Sequence, residues 1–313
     1  SYPHSWRSKA PLIFRTTSQW FIDLEKDNLR QKALESITKT QWIPSMGQKR
    51  IESMIAGRPD WCLSRQRMWG VPLALFIHKS TQKPLKDIRV NARIYEAMTQ
   101  EGSDIWFADN TKERFLRPEY DPEDFEICRD IIDVWFESGS THAFVLEQRT
   151  DQYAPADLYL EGSDQHRGWF QSSLLQSIGT RNRAPFHSVL THGFVVDAQG
   201  YKMSKSQGNT VSLQELIKSH GADIIRLWVM SSDFFEDLKI GPAIIKRQED
   251  MYRRIRNTFR FLLANTSKKP LDSLDTELPL LEKWILHRLA VLEKNITENV
   301  EKLNLHRLYT YLY

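Results

Sequence analysis

The sequence predicts an α/β fold that gives way to an all-helical segment near residue 240. Two patterns predict it. Between Asp130 and Val196, short apolar runs alternate with polar turns around one helical stretch, the order of half an open α/β sheet. From Pro242 onward, apolar residues recur only at helical spacing. The chain has 313 residues, a formal charge of +3, ten tryptophans and two cysteines. That length allows more than one domain. The small net charge means that any polyanion site must come from local clustering. Cys62 and Cys128 cannot build a disulfide framework and lie too far apart for a zinc knuckle, which fits a reducing cytoplasm. No apolar run approaches the ~20 residues of a membrane span. The opening SYPHSWRSKAP has neither a signal-peptide core nor a transit-peptide pattern, and reads as the middle of a longer protein.

Taken in order, residues 1 to 45 mix β-like runs (Pro11 to Phe14, Gln19 to Ile22) with a polar helix over Asp23 to Thr38. A helix over Gly47 to Ile55 precedes the turn Gly57-Arg58-Pro59-Asp60. Val71 to His78 reads as a buried strand, and 80–128 as a charged, irregular insertion on the main sheet. Asp130 to Phe136 reads as a strand ending at Ser138-Gly139-Ser140. Leu158 to Leu160 is a short strand running into Glu161-Gly162-Ser163, and a helix starts from Gln165. Val189-Leu190 and Phe194 to Val196 are strands, with Asp197 to Gly200 as a hairpin turn. Ser212 to Glu215 is a capping box, and His220-Gly221 ends the helix it starts. Further helices are expected over 222–230, 243–265 and 282–303, with Pro242 in a first helical turn.

Ligands of an open parallel sheet bind beyond the carboxyl ends of its strands. Three polar clusters follow predicted strands here: the turn after DVWFESGS, the EGSDQ segment, and the loop KMSKS at 202–206. Two lysines among small hydroxylated residues suit a loop that meets a polyphosphate. Glu161 and Asp164 can hold an ammonium group or a ribose hydroxyl; a helix cap is the other reading of Asp164. Trp135 and Trp169 can clamp an aliphatic side chain or fill core. His192-Gly193 can bring a backbone amide close to a nucleotide, since glycine permits close approach. His166 is expected to point away from any pocket. On the helix after Pro242, Lys246, Arg247, Arg253, Arg254, Arg256 and Arg260 outnumber Glu249 and Asp250. Such a face can contact phosphates, or be an ordinary solvated face.

Four segments follow one another: WCLSRQRMWGVP (61–72), DVWFESGSTH (133–142), LEGSDQHRGWF (160–170) and LTHGFVVDAQGYKMSKSQGN (190–209). Their order, spacing and content resemble the class I aminoacyl-tRNA synthetases, specifically the isoleucyl branch of bacterial type. The resemblance covers nearly the whole chain. It implies a fold: residues 1–240 as the second half of a Rossmann-like catalytic domain, with a connective insertion near 80–128, and 241–313 as the start of a helical anticodon-binding domain. It implies an ATP-dependent ligase that activates isoleucine and transfers it to tRNA(Ile). The adenylate-binding glutamate falls on Glu161. Residues that bind the amino acid and adenosine fall on Asp164 and Gln165, the two tryptophans of the aliphatic pocket on Trp135 and Trp169, and the ATP-contacting lysine on Lys205, with Lys202 beside it. ATP with Mg2+ is the implied cofactor, and a cytoplasmic monomer without a membrane partner is expected.

The sequence also departs from that pattern. HIGH, the other class I signature, is absent, as is any stretch like the large editing insertion. YPHSWR resembles the segment just after that insertion, so an internal fragment, inactive alone, is expected. Ser5 and Ser8 stand where some members carry a zinc-binding Cys-x-x-Cys; hydroxyls are poor zinc ligands, so no zinc or other protein-held metal is expected. Two alternatives stay open: a valyl or other class I synthetase, and a non-catalytic tRNA-binding paralogue.

Overall fold

The structure, a computed structural model, describes residues 2–5, 8–67, 69–204, 208–266 and 277–312. Two compact units emerge: Ser1–Tyr159 with Asp164–Val189, and Leu160–Ser163 with Leu190–Tyr313.

In the first unit, β1 (Phe21–Ile22) leads to α1 (Leu29–Lys39), β2 (Gln41–Ile43) and α2 (Met46–Ala56). Ala33 and Ile37 of α1, and Gly47, Ile51 and Ile55 of α2, recur four residues apart and are the buried positions. The run Pro11 to Phe14 is not a strand: Ile13 and Phe14 are exposed. Next come β3 (Trp61–Cys62), antiparallel to β1, and β4 (Ser64–Arg65). Of the strand expected over 71–78, only β5 (Phe76–His78) forms.

The insertion is not irregular. It contains α3 (Ile88–Glu101), α4 (Thr111–Leu116) and β6 (Phe125–Ile127), antiparallel to β5. Asp87 caps α3 by accepting the Arg89 amide. Val90, Ile94, Ala97, Trp106, Phe115, Leu116 and Phe125 form a hydrophobic core of their own with Phe76. Charged residues between Val90, Ile94 and Ala97 mask their helical spacing in the sequence.

The strand expected over 130–136 is also shorter. β7 (Ile131–Ile132) pairs antiparallel with β4, and α5 (Val134–Gly139) follows at once. Asp133 ends the strand because its side chain accepts the Trp135 amide and caps α5. Trp135 therefore sits on a helical turn. β8 (Ala156–Gly162) and β9 (Phe186–His192) join β2 in a three-stranded sheet of order β2-β9-β8. Between them runs α6 (Trp169–Arg181), in which every residue from Phe170 to Ile178 is buried. The core of this unit combines Ala33, Ile37, Ile51 and Ile55 with Tyr159, Phe170, Leu174, Phe186 and Val189.

In the second unit, β10 (Val195–Val196) precedes α7 (Leu213–His220) and α8 (Ala222–Ser231), and β11 (Leu238–Lys239) pairs parallel with β10. The expected cap forms: Ser212 Oγ accepts the Glu215 amide. Then follow α9 (Pro242–Asn265), with Pro242 in its first turn, α10 (Leu280–Glu301) and α11 (Leu305–Leu312). α8 packs on α9 and α11, so the helices after residue 240 share this unit with the loop around Lys202. On α9 Met251 is buried, but Phe259 and Leu262 are exposed, as are Trp284, Ile285 and Leu289 of α10. No helix among the described residues is long and apolar enough to cross a membrane.

Candidate active site

In the first unit the site is built around a glycine. The loop between β8 and α6 ends at Gly168, whose buried backbone lies against the Trp135 indole. A Cβ at Gly168 would stand 2.9 Å from the edge of that ring and 2.6 Å from Gln165 Oε1. Gln165 uses this oxygen to accept the Trp169 amide at 3.0 Å, satisfying the first N–H of α6. Its amide nitrogen lies 3.4 Å from Asp164, an exposed carboxylate. The Asp164 side chain is thus beside Gln165, and the N-cap position of α6 is Gly168.

Trp169 is held on two sides. Its indole stacks on Tyr159, with centroids 4.1 Å apart and planes 2° from parallel, and its Nε1 donates to the Ser138 carbonyl at 2.9 Å. A stack of this kind contributes about 0.5–1.5 kcal/mol beyond burial. The bond to Ser138 ties Trp169 to the helix that carries Trp135. Gly139 makes the approach possible, because a Cβ there would lie 3.0 Å from the Ser172 carbonyl carbon. Trp135 remains 42% exposed, and Trp169 is half-buried against the core. The structure thus places the Trp135 indole and the Gln165 side chain at Gly168, with the Trp169 backbone amide bonded to Gln165 and the Trp169 indole against Tyr159 and Ser138.

Asp133 fixes the Trp135 turn from below. This carboxylate is buried, and besides capping α5 it accepts Trp61 Nε1 at 3.1 Å and pairs with Arg65 at 3.2 Å. Two sequence segments, WCLSR and DVWF, are joined through it. Replacing a cap of this kind by alanine costs about 0.5–2 kcal/mol, and the buried Trp61 N–H left behind adds about 1–3 kcal/mol. His166 is turned into the core, stacked on Trp42 at 6.0 Å, as expected of a residue outside the site. Sequence reading missed Gly168, Tyr159 and Asp133. The short spacing from Gln165 through Gly168 to Trp169 was the available signal for the first.

In the second unit, Glu161 is exposed on β8. Gly193 corrects an expectation. Its N–H donates to the Phe234 carbonyl at 2.9 Å, so that amide is committed within the fold. A Cβ at Gly193 would fall 2.2 Å from the Glu236 carbonyl oxygen: close approach is needed, but to the chain's own backbone. His192 has Nδ1 2.7 Å from the Gly193 carbonyl. The turn Asp197 to Gly200 forms as expected, and Lys202, exposed, bridges back to Val196. Lys205 lies outside the described residues. On α9, Lys246, Arg247, Arg253, Arg254, Arg256 and Arg260 are all exposed, with Lys246 paired to Glu249 and Arg253 to Asp250.

Residues 7–241 match the family described as tRNA synthetases class I (I, L, M and V). The chain belongs to this family. Among its relatives, the isoleucine–tRNA ligase of Pelagibacter ubique is 54% identical over 99% of the chain and 35% of that protein. The isoleucine–tRNA ligase of Brucella abortus is 51% identical over 98% of the chain and 32% of that protein. The chain therefore spans about a third of the length of these curated relatives. Among solved structures, Mycobacterium tuberculosis methionyl-tRNA synthetase in complex with methionyl-adenylate superimposes with a TM-score of 0.62 at 16% identity, covering 99% of the chain and 54% of that structure. A leucyl enzyme, in a ternary complex from Agrobacterium radiobacter K84, gives 0.59 at 17% identity, covering 81% of the chain and 35% of that structure. These likenesses show the α/β fold of class I synthetases. The family match includes the motifs of both units: the cluster around Gly168 and the loop that begins at Lys202.

Proposed function

We propose that the chain is part of an isoleucine–tRNA ligase, which activates isoleucine with ATP and passes it to tRNA(Ile). The observation that carries this reading is the meeting of Trp135 and Gln165 at Gly168. The Trp135 indole and the Gln165 amide at Gly168, with the Trp169 indole tied by Ser138 to the helix that carries Trp135, suit an aliphatic side chain that continues into a polar head group. Relatives named isoleucine–tRNA ligase at 51–54% identity support the choice of amino acid.

The chemistry needs no enzyme nucleophile. The isoleucine carboxylate attacks the α-phosphate of ATP, forming isoleucyl-adenylate and releasing pyrophosphate. A hydroxyl of the terminal ribose of the tRNA then displaces AMP and takes the acyl group. In this reading Trp135 and Trp169 flank the side chain, and Asp164 and Gln165 bind its polar end. Glu161 and His192 bind the adenylate, and Lys202 and Lys205 stabilise charge on the phosphates. Magnesium enters with the nucleotide as part of the substrate. The basic residues of α9 contact tRNA phosphates without reading bases. Residues 1–240 form the second half of the catalytic domain, and 241–313 open the helical tRNA-binding part.

Amino-acid-dependent exchange of pyrophosphate into ATP, measured on the intact protein, tests the assignment. Trp169→Ala should raise KM for isoleucine more than KM for ATP, by about 1–3 kcal/mol, the scale of one buried aliphatic side chain. Lys205→Ala should mainly lower kcat, because a phosphate contact strengthens in the transition state. The same kinetic pattern in both variants would overturn the assignment.

A further inference from the structure

The loop that begins at Lys202 is anchored by a pair of side chains, Asp197 and Asn209. Asp197 stands at the end of β10, which is fixed by its parallel pairing with β11 and by the Ile240 amide donating to the Val196 carbonyl at 3.0 Å. One oxygen of the Asp197 carboxylate accepts the amides of Gln199 at 3.1 Å and Tyr201 at 2.8 Å, holding the turn. The other accepts the Asn209 amide nitrogen at 2.8 Å. Asn209 lies on the returning limb of the loop, twelve residues on. Its nitrogen also reaches the Lys202 carbonyl at 3.3 Å, and its oxygen accepts the Ser204 amide at 2.9 Å.

These bonds go beyond an ordinary side-chain turn. An Asx turn satisfies amides one or two residues away. Here one carboxamide reaches residues five, seven and twelve positions distant. Both its ends are committed, so its orientation is fixed: a flipped amide would face Asp197 with an acceptor and Ser204 with a donor. The Asp197 carboxyl is held below its ordinary range, first by the Asn209 amide and then by the Tyr201 backbone, so it stays ionised at neutral pH.

We infer that Asp197 and Asn209 are positioning residues that clasp the base of the loop, fixing the backbone on both sides of Lys202 and thereby its approach to the nucleotide phosphates. The inference rests on the proposed ligase reading for its chemistry, but the clasp itself can be tested without it. A flexible lysine acts efficiently on a leaving group only if its backbone is placed in advance.

The experiment uses the intact protein and four forms: wild type, Asn209→Ala, Asn209→Asp, and the reciprocal exchange Asp197→Asn with Asn209→Asp. Asn209→Ala should lower kcat for isoleucine-dependent exchange by about tenfold or more, leaving KM for isoleucine within about twofold, since misplacing a positioned group by an ångström costs up to ~100-fold. Asn209→Asp sets two carboxylates against each other, so its loss should be larger at high pH and shrink as the pH falls and one carboxyl takes a proton. The exchanged pair again offers one donor and one carboxylate. It loses only the long contact to Lys202 and should recover most of the lost kcat. Amide hydrogen exchange at Tyr201 and Ser204 should quicken in both single variants and slow again in the exchanged pair. Unchanged kcat in Asn209→Ala, an isoleucine KM that moves as much as kcat, or protected amides without recovered kcat in the exchanged pair would each overturn the inference. If the wild type gave no exchange with isoleucine, the ligase reading would fall. The amide-exchange series would then decide the clasp, which fails if Tyr201 and Ser204 are unaffected by the variants.

Discussion

Gly168→Ala should separate stability from ligand binding in a way the geometry specifies. The new methyl group would stand 2.6 Å from Gln165 Oε1 and 2.9–3.0 Å from two ring carbons of Trp135. Neither neighbour is backbone. One is the end of a flexible side chain and the other the outer edge of an indole that is 42% exposed, so both can move aside. The folded state loses the Gln165 bond to the Trp169 amide, a hydrogen bond worth about 0.5–1.5 kcal/mol net. The loss of stability should stay within about 2 kcal/mol, in the range of an ordinary point substitution. Binding should change more. Both side chains at this spot, Trp135 and Gln165, are displaced, and loss of aliphatic contacts on this scale costs about 1–3 kcal/mol, or roughly 5- to 150-fold in apparent affinity. The assay is pyrophosphate exchange on the intact protein, with KM measured separately for isoleucine and ATP, beside urea denaturation followed by tryptophan fluorescence. An unchanged isoleucine KM with a fully folded variant would show that the Gly168 cluster does not receive the amino acid.

Two further outcomes follow from the same structure. Gly193→Ala should show the opposite signature, because its Cβ would meet Glu236 carbonyl atoms at 2.2 and 2.3 Å and the Asp237 amide nitrogen at 2.7 Å, none of which can swing away. A loss above about 2 kcal/mol is expected, as for overpacking in a rigid site; thermal unfolding indistinguishable from wild type would refute it. His142 supplies a pH dependence. Burial holds its imidazole below the ordinary value, with Arg181 and Arg183 acting in the same direction and the Gly139 carbonyl and Glu147 opposing. The unfolded chain then takes up the proton more readily than the folded one. The contribution to stability is present above the ordinary pKa of about 6.5 and is lost as pH falls from there through the lowered folded value. Urea midpoints between pH 8 and 5 should fall less steeply in His142→Gln than in wild type; parallel slopes would exclude His142 as the source.

Much of this fold was legible in the sequence because the signals are local. The cap from Ser212 to Glu215, Pro242 opening α9, and the turn from Asp197 to Gly200 are each decided within a few residues by which groups can satisfy nearby amides. The order of the four motifs likewise pointed to the family that the chain matches. What sequence reading placed wrongly depended on contacts between distant residues. The stretch 80–128 looks irregular until Val90, Ile94 and Trp106 close on Phe76 and Phe125. Trp135 was assigned to a strand, but the buried Asp133, held by Trp61 and Arg65 some seventy residues earlier, starts a helix beneath it.

The sequence by itself determined the family and much of the alternation of strand, turn and helix, since these follow from residue types and spacings along the chain. Only the tertiary structure decided that Gly168 is where Trp135 and Gln165 meet, that the freedom of Gly193 is used against Glu236, and that Asn209 reaches back to Asp197. The physical reason is the same in each case. A missing Cβ or a single carboxamide has no meaning until the fold brings another segment within a few ångströms of it.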